Sequence, residues 1–139
     1  MPWVIGLILA IGVAAFAHVV GFDREKGFYP VVLIIVGSLY VLFAVMAGGS
    51  GVPLEILFFS GFAALAVIGF RSSLWVVASG LALHGLFDFV RATLLPGSGV
   101  PSYWPAFCGS YDVVAALILA ALIVTRRVYS GPSRAQGPG

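Results

Sequence analysis

Charge is what this sequence has least of. Only 9% of its 139 residues are charged, seven Lys or Arg and five Asp or Glu, where a soluble domain carries about one quarter. A soluble chain of this length could bury a respectable core, but it would need a polar exterior that so few charges cannot supply. Lipid must cover most of a surface drawn from a composition that is 61% hydrophobic. Cysteine is nearly absent as well. The single Cys108 excludes an intrachain disulfide and says little about redox compartment. The formal charge is only +2, and the basic residues sit beside apolar spans rather than along a groove, which excludes nucleic acid as a partner. No internal repeat or heptad array is present, and the apolar spans are too few for the paired inverted repeats of many secondary transporters.

What is present is a series of long apolar runs: Trp3 to Val20, Pro30 to Ala47, Leu54 to Phe70, Leu74 to Val90, and Ala106 to Thr125. Each approaches the length a helix needs to cross hydrocarbon. The segments between them hold the breakers and charges: FDREKGF, the glycine-rich GGSGVP, the turn RSS, and the longer RATLLPGSGVPSYWP. The runs are continuous rather than alternating, and backbone polar groups cannot stay unpaired in lipid, so helices are expected rather than a barrel. Short connections favour antiparallel neighbours. The sequence therefore predicts an all-α integral membrane bundle of five helices, a single transmembrane domain over residues 1–125, followed by a flexible tail over 126–139 that is rich in Gly, Pro and Ser.

Ala15-Phe16-Ala17 imitates a signal-peptide cleavage site. The segment before it carries no Lys or Arg, and cleavage would put most basic residues on the outer side, so the first span is read as a retained helix. Its Gly6, Ala10, Ala14 and His18 repeat every fourth residue, a small-residue face suited to close packing, which predicts that His18 points into the bundle. Orientation follows from the basic residues, which accumulate on the cytoplasmic side. With the N-terminus outside, Arg24, Lys26, Arg71, Arg126, Arg127 and Arg134 fall inside and only Arg91 outside. The C-terminus is then cytoplasmic. Trp3, Tyr103 and Trp104 would anchor the outer interface, and Tyr29, Trp75 and Tyr129 the inner one. Asp23, Arg24, Glu25 and Lys26 cancel in charge and are expected to form a solvated turn.

Leu74 to Arg91, LWVVASGLALHGLFDFVR, is the anomalous span. Val76, Gly80, His84 and Asp88 form one stripe along a helix, so two ionisable groups share a face where hydrocarbon is the rule. Such residues are costly in a bilayer, turn inward, and mark sites or pathways. At 1.5 Å per residue, Glu55 and Asp88 lie roughly 3 Å inside their helix ends, and His84 and Asp112 roughly 9 Å inside. Cys108, Asp112, Ala116 and Ala120 share a face of the last helix. Three carboxylates in one low-dielectric region require protons, a counterion such as His84 or Arg91, or a bound cation.

The expected site is thus a polar pocket between the third, fourth and fifth helices that opens outward and takes a proton, a cation or a small polar ligand, for transport or sensing. Glu55, His84, Asp88 and Asp112 would carry it: Asp88 and Arg91 would govern entry, His84 and Asp112 would hold the ligand at depth, and Cys108 and Tyr111 would line the wall. A divalent metal is a candidate cofactor, with His84, Asp88 and Asp112 as ligands and Glu55 or Cys108 completing the set. Bis-histidine haem is disfavoured because His18 and His84 lie at different depths. Two rival readings use the same residues. In one they join helices within a homo-oligomer or to a partner subunit of a membrane complex. In the other, Cys108 with His84 and Asp112 or Asp88 forms a hydrolytic centre at the outer leaflet, although nothing marks an oxyanion hole. The outer loop Arg91 to Pro105, with Pro96, Gly97, Gly99 and Pro101, is turn-rich; it either lids the cluster or merely spans two helix ends.

At FDREKGFYPVVLIIVGSLYVLFAVMAG, and again at HGLFDFVR followed by VPSYWPAFCGSYDVVAA, the chain resembles small bacterial inner-membrane proteins of unassigned activity. The likeness covers about Phe22 to Ala116. It implies a multi-pass protein of a bacterial inner membrane and brings no activity, cofactor or catalytic residue with it.

Overall fold

Proline and glycine mark the ends of the elements. Pro2, Pro53 and Pro105 each fall in the first two positions of a helix, where the missing N–H costs nothing and the fixed φ suits the helical start. The computed structural model describes residues 1–95 and 99–128. Among these, five α-helices run in the order α1 (Pro2–Val20), α2 (Phe28–Met46), α3 (Val52–Arg71), α4 (Leu74–Leu94) and α5 (Trp104–Val124), with a 3₁₀ turn at Phe22–Arg24 after α1. No strand occurs among the described residues. Each α-helix is long and apolar enough to cross a membrane. Pro96 and Gly97, and residues 129–139 of the expected tail with Tyr129 and Arg134, lie outside the described residues.

Gly21 ends α1 in the left-handed region at φ 92, and its N–H bonds the Ala17 carbonyl. α5 ends in the same way without glycine: Arg126 takes φ 56, and Arg127 N–H bonds Leu122 O at 2.9 Å. Val128 then turns back to pack on the apolar core. Between α3 and α4 the turn is only Ser72-Ser73, and Ser73 Oγ accepts the Trp75 N–H at the start of α4.

α4 is the hub. It packs against α5, α3 and α2, while α1 reaches the bundle mainly through α5. At its extremes, burial runs opposite to a soluble protein's. Half of the α4 span is buried (50%) although it is the least apolar of the five, whereas very apolar α1 is only 17% buried. Leu33, Val77, Leu81 and Leu119 fill the centre with no exposed surface, while Val19, Leu57, Leu117 and Val124 are largely exposed and form a surface suited to lipid.

Close approach depends on glycine. A Cβ at Gly6 would lie 2.1 Å from the Phe107 carbonyl oxygen, so α1 meets α5 backbone to backbone. Gly85 and Gly109 do the same for α4 and α5, a Gly85 Cβ coming within 3.0 Å of Gly109 O. The small face of α1 differs from its expectation at one end. Gly6, Ala10 and Ala17 are buried but His18 is exposed. Twelve residues at 3.6 per turn rotate His18 by about 120° from Gly6, whereas Ala17 returns to within about 20° of it. His18 therefore points away from the bundle and bonds Asp23 at 2.8 Å. Asp23 is buried, 3% exposed, and the charged run is not uniformly solvated: of Asp23, Arg24, Glu25 and Lys26, only Arg24 and Glu25 are exposed. Lys26 lies over the Phe70 ring at 5.4 Å.

Gly6→Val should lower the denaturation midpoint in detergent through overpacking worth about 1–3 kcal/mol. Gly12, where a Cβ meets nothing within 4 Å, should accept Ala with a change below about 0.5 kcal/mol. Equal effects of the two substitutions would contradict this account of the α1–α5 contact.

Candidate functional site

The polar cluster forms because α4 presents one polar stripe to three neighbours. Gly80, His84, Asp88 and Arg91 are all buried, and Val76 is half-buried. Gly80 makes the room: its Cα faces Leu33 of α2, whose methyl would lie 2.7 Å from an added Cβ. Each ionisable group of the stripe then meets a partner from a different helix.

His84 Nδ1 lies 2.6 Å from Asp112 Oδ2 of α5, and 3.7 Å from Asp88 Oδ2 one turn along its own helix. Tyr40 of α2 donates its hydroxyl to Asp88 Oδ1 at 2.6 Å. Cys108 Sγ donates to Asp112 Oδ2 at 3.7 Å. Arg91 pairs with Glu55 of α3, and its guanidinium lies 4.6 Å from the centre of the Tyr40 ring. Tyr40 thus touches both parts of the cluster, its hydroxyl on Asp88 and its ring beneath Arg91. Phe62, with its ring centre 4.6 Å from that of His84, and Phe87 at 5.9 Å enclose the imidazole.

The enclosure is nearly complete. His84 is 1% exposed, and Asp88 and Asp112 are 0% exposed. Buried polar atoms normally have a partner, yet Asp88 Oδ2, Asp112 Oδ1, Glu55 Oε2 and Arg91 Nε have no hydrogen bond here. The cluster therefore has spare acceptor capacity at its centre.

Of the residues singled out in the sequence, His84, Asp88, Asp112 and Cys108 come together. One donor atom from each lies within 4.8 Å of all the others. Glu55 and Arg91 form a separate pair beside them rather than a share of that group. Tyr111 is half-buried against the apolar core and makes no hydrogen bond to the cluster. Cys108 is bonded to Asp112 and not to His84. Tyr40 is the member that the sequence reading missed. Its signal was position: tyrosine is favoured at the ends of spans, and Tyr40 stands well inside one, where its hydroxyl needs a buried acceptor.

From Gly99 onward, the Arg91–Pro105 loop rests on the end of α2. Gly99, at φ 74, stands where an added Cβ would be 2.3 Å from Ala47 Cβ. Trp104 is half-buried, its ring centre 4.8 Å from that of Phe43 and 5.2 Å from that of Phe107. Tyr103, at 55% exposed, remains at the surface.

Removing one member of a buried ion pair strands the other charge and typically costs about 3–5 kcal/mol, whereas replacing both with apolar groups is often nearly neutral. Arg91→Met should therefore destabilise the chain strongly in detergent unfolding, and Arg91→Met combined with Glu55→Leu should recover most of that loss. A double variant no more stable than the single one would show that Glu55 and Arg91 do not depend on each other.

No family model, no curated protein and no solved structure matches this chain. No relative lends the cluster a role, and its chemistry rests on its own donor atoms.

Proposed function

We propose that this chain is a multi-pass protein of a bacterial inner membrane whose fourth helix carries a proton- or cation-holding site for transport or sensing. The observation that carries the reading is the enclosed His84–Asp112 contact at 2.6 Å, with Asp88 beside it and unpaired acceptors on both carboxyls. Two carboxylates and a neutral imidazole would together carry two negative charges. A buried group of that charge is costly, and two protons distributed over the three residues make it neutral. A proton needs no open pocket, which suits side chains as enclosed as these; a larger polar ligand would require the helices around Arg91 and Glu55 to part.

The distribution of Lys and Arg supports an outside N-terminus and a cytoplasmic C-terminus. The polar cluster, near the start of α3 and α5 and the end of α4, then lies in the outer half of the membrane. The lipid bilayer is the principal partner, and a second copy or another subunit would meet the exposed apolar faces.

A structural reading has its own observation in its favour. Tyr40–Asp88, His84–Asp112 and Arg91–Glu55 tie α4 to α2, α5 and α3, as expected of polar groups that join membrane helices. Such bonds average only about 0.6 kcal/mol, and they leave the spare acceptors unexplained.

Infrared spectra of the chain in lipid nanodiscs should show a protonated-carboxyl C=O band at neutral pH that shifts in deuterium oxide and is lost in Asp88→Asn or in Asp112→Asn. A spectrum without that band from mildly acid to mildly alkaline pH would overturn the proton-holding reading and leave the structural one. Orientation is tested separately: a fluorescent protein fused to the C-terminus should mature and fluoresce, and alkaline phosphatase at the same point should stay inactive. The opposite pair of results would reverse the topology.

A further inference from the structure

We infer that His84, Asp88, Cys108 and Asp112 form a binding site for one divalent transition-metal ion of the zinc type, taken up in exchange for protons. The inference rests on the proton-holding reading above, since it assigns the same residues a second occupant. Four donors of the required kinds are assembled from two helices, with one atom of each within 4.8 Å of all the others. A zinc-type ion with bonds of about 2.0–2.3 Å to nitrogen, oxygen and sulfur holds tetrahedral donors about 3.3–3.7 Å apart. His84 Nδ1 to Asp88 Oδ2 and Cys108 Sγ to Asp112 Oδ2 are each 3.7 Å, which matches the wide end of that range. The shorter His84–Asp112 separation of 2.6 Å is a hydrogen bond; it opens when its proton leaves and the imidazole nitrogen and a carboxyl oxygen turn to the ion.

Two independent observations point to a ligand rather than to four residues that merely pack together. Asp88 Oδ2 and Asp112 Oδ1 are buried acceptors without hydrogen bonds on side chains with no exposed surface. Each is the free oxygen of a carboxyl whose other oxygen is already engaged, by Tyr40 at Asp88 and by His84 at Asp112. The Tyr40 hydroxyl, which is not a donor to the ion, fixes the orientation of the Asp88 carboxyl, as outer partners do in metal sites. The donor set also selects the ion. An imidazole and a sulfur alongside two carboxylates suit zinc and its neighbours, whereas magnesium and calcium prefer oxygen alone.

Proton release follows from the donor set. A zinc-type ion takes imidazole in its neutral form, carboxyls ionised and cysteine as the thiolate, so the two protons of the electroneutral cluster and the Cys108 thiol proton leave as the ion enters, three protons for one ion. Metal occupancy and proton occupancy are mutually exclusive.

The test uses the full chain, purified without a histidine tag in mild detergent and stripped of metal, with Co²⁺ as the probe and Zn²⁺ as competitor. The wild type should bind one equivalent of Co²⁺, with visible bands of tetrahedral intensity and a near-ultraviolet sulfur-to-metal absorption, should release protons as it does so, and should lose both signals to Zn²⁺ but not to Mg²⁺. Cys108→Ser, a nearly isosteric change, should abolish the sulfur absorption in protein that remains folded, and His84→Ala should abolish binding. No Co²⁺ signal from folded wild-type protein overturns the metal site, and so does a signal that survives both substitutions. The infrared band separates the two readings: its presence without Co²⁺ binding leaves the proton site standing and removes the metal, and its disappearance on addition of Co²⁺ is the result expected if both hold.

Discussion

An ionisable side chain surrounded by hydrocarbon must find its partner on another helix, and α4 carries three such side chains on one stripe. His84 meets Asp112 of α5, Asp88 meets Tyr40 of α2, and Arg91 meets Glu55 of α3. The position of α4 at the centre of the bundle follows from this. A helix with polar groups on one narrow face could be satisfied from one side, but three different partners require three neighbours. The least apolar helix is therefore the most enclosed, and the very apolar α1, with no such obligation, stays at the periphery with most of its surface free for lipid.

Polar pairing alone would not hold helices at hydrogen-bonding distance, because short side chains such as Asp112 and Asp88 cannot reach across a wide gap. Small residues on the same faces supply the approach. Gly85 and Gly109 bring α4 and α5 together within a turn of His84 and Asp112, and Gly80 lets Leu33 of α2 seat itself one turn from His84. In a membrane, where burying an apolar side chain against another helix gains little over leaving it in lipid, such close contact is a main source of association. Position 109 thus bears on the site although it carries no polar side chain.

Much of this was legible in the sequence, and most of what was not has one cause. Five spans follow from continuous apolar runs punctuated by Pro and Gly, because the length of a bilayer crossing is a one-dimensional property. The stripe of His84 and Asp88 likewise follows from helical period. The choice among partners is lateral, and no period encodes it. From sequence, Arg91, Glu55, Asp88 and Asp112 could pair in several ways; packing α3 and α5 on opposite sides of α4 leaves Glu55 for Arg91 and Asp112 for His84. Tyr40 was hidden for the same reason, since α2 contributes no charge and its approach to α4 is visible only in three dimensions. His18 failed differently: steps of four residues drift from a helix whose true repeat is 3.6, so a stripe read over three steps ends on the wrong face.

Tyr40 also joins the two halves of the cluster. Its hydroxyl is committed to Asp88 Oδ1 and its ring lies against the Arg91 guanidinium, so neither the aspartate nor the arginine can move without disturbing a shared neighbour. The hydroxyl can donate to a carboxylate or accept from a carboxylic acid, and the ring attracts the cation most strongly when water is excluded. A change of charge at Asp88 is therefore felt at Arg91 through a single side chain as well as through space. The Glu55–Arg91 pair, which closes one end of the cluster, and the His84–Asp112 pair, which forms its interior, are in this sense parts of one network. Its three α4 members lie within eight residues, His84 to Arg91, and its other members come from every remaining helix except α1.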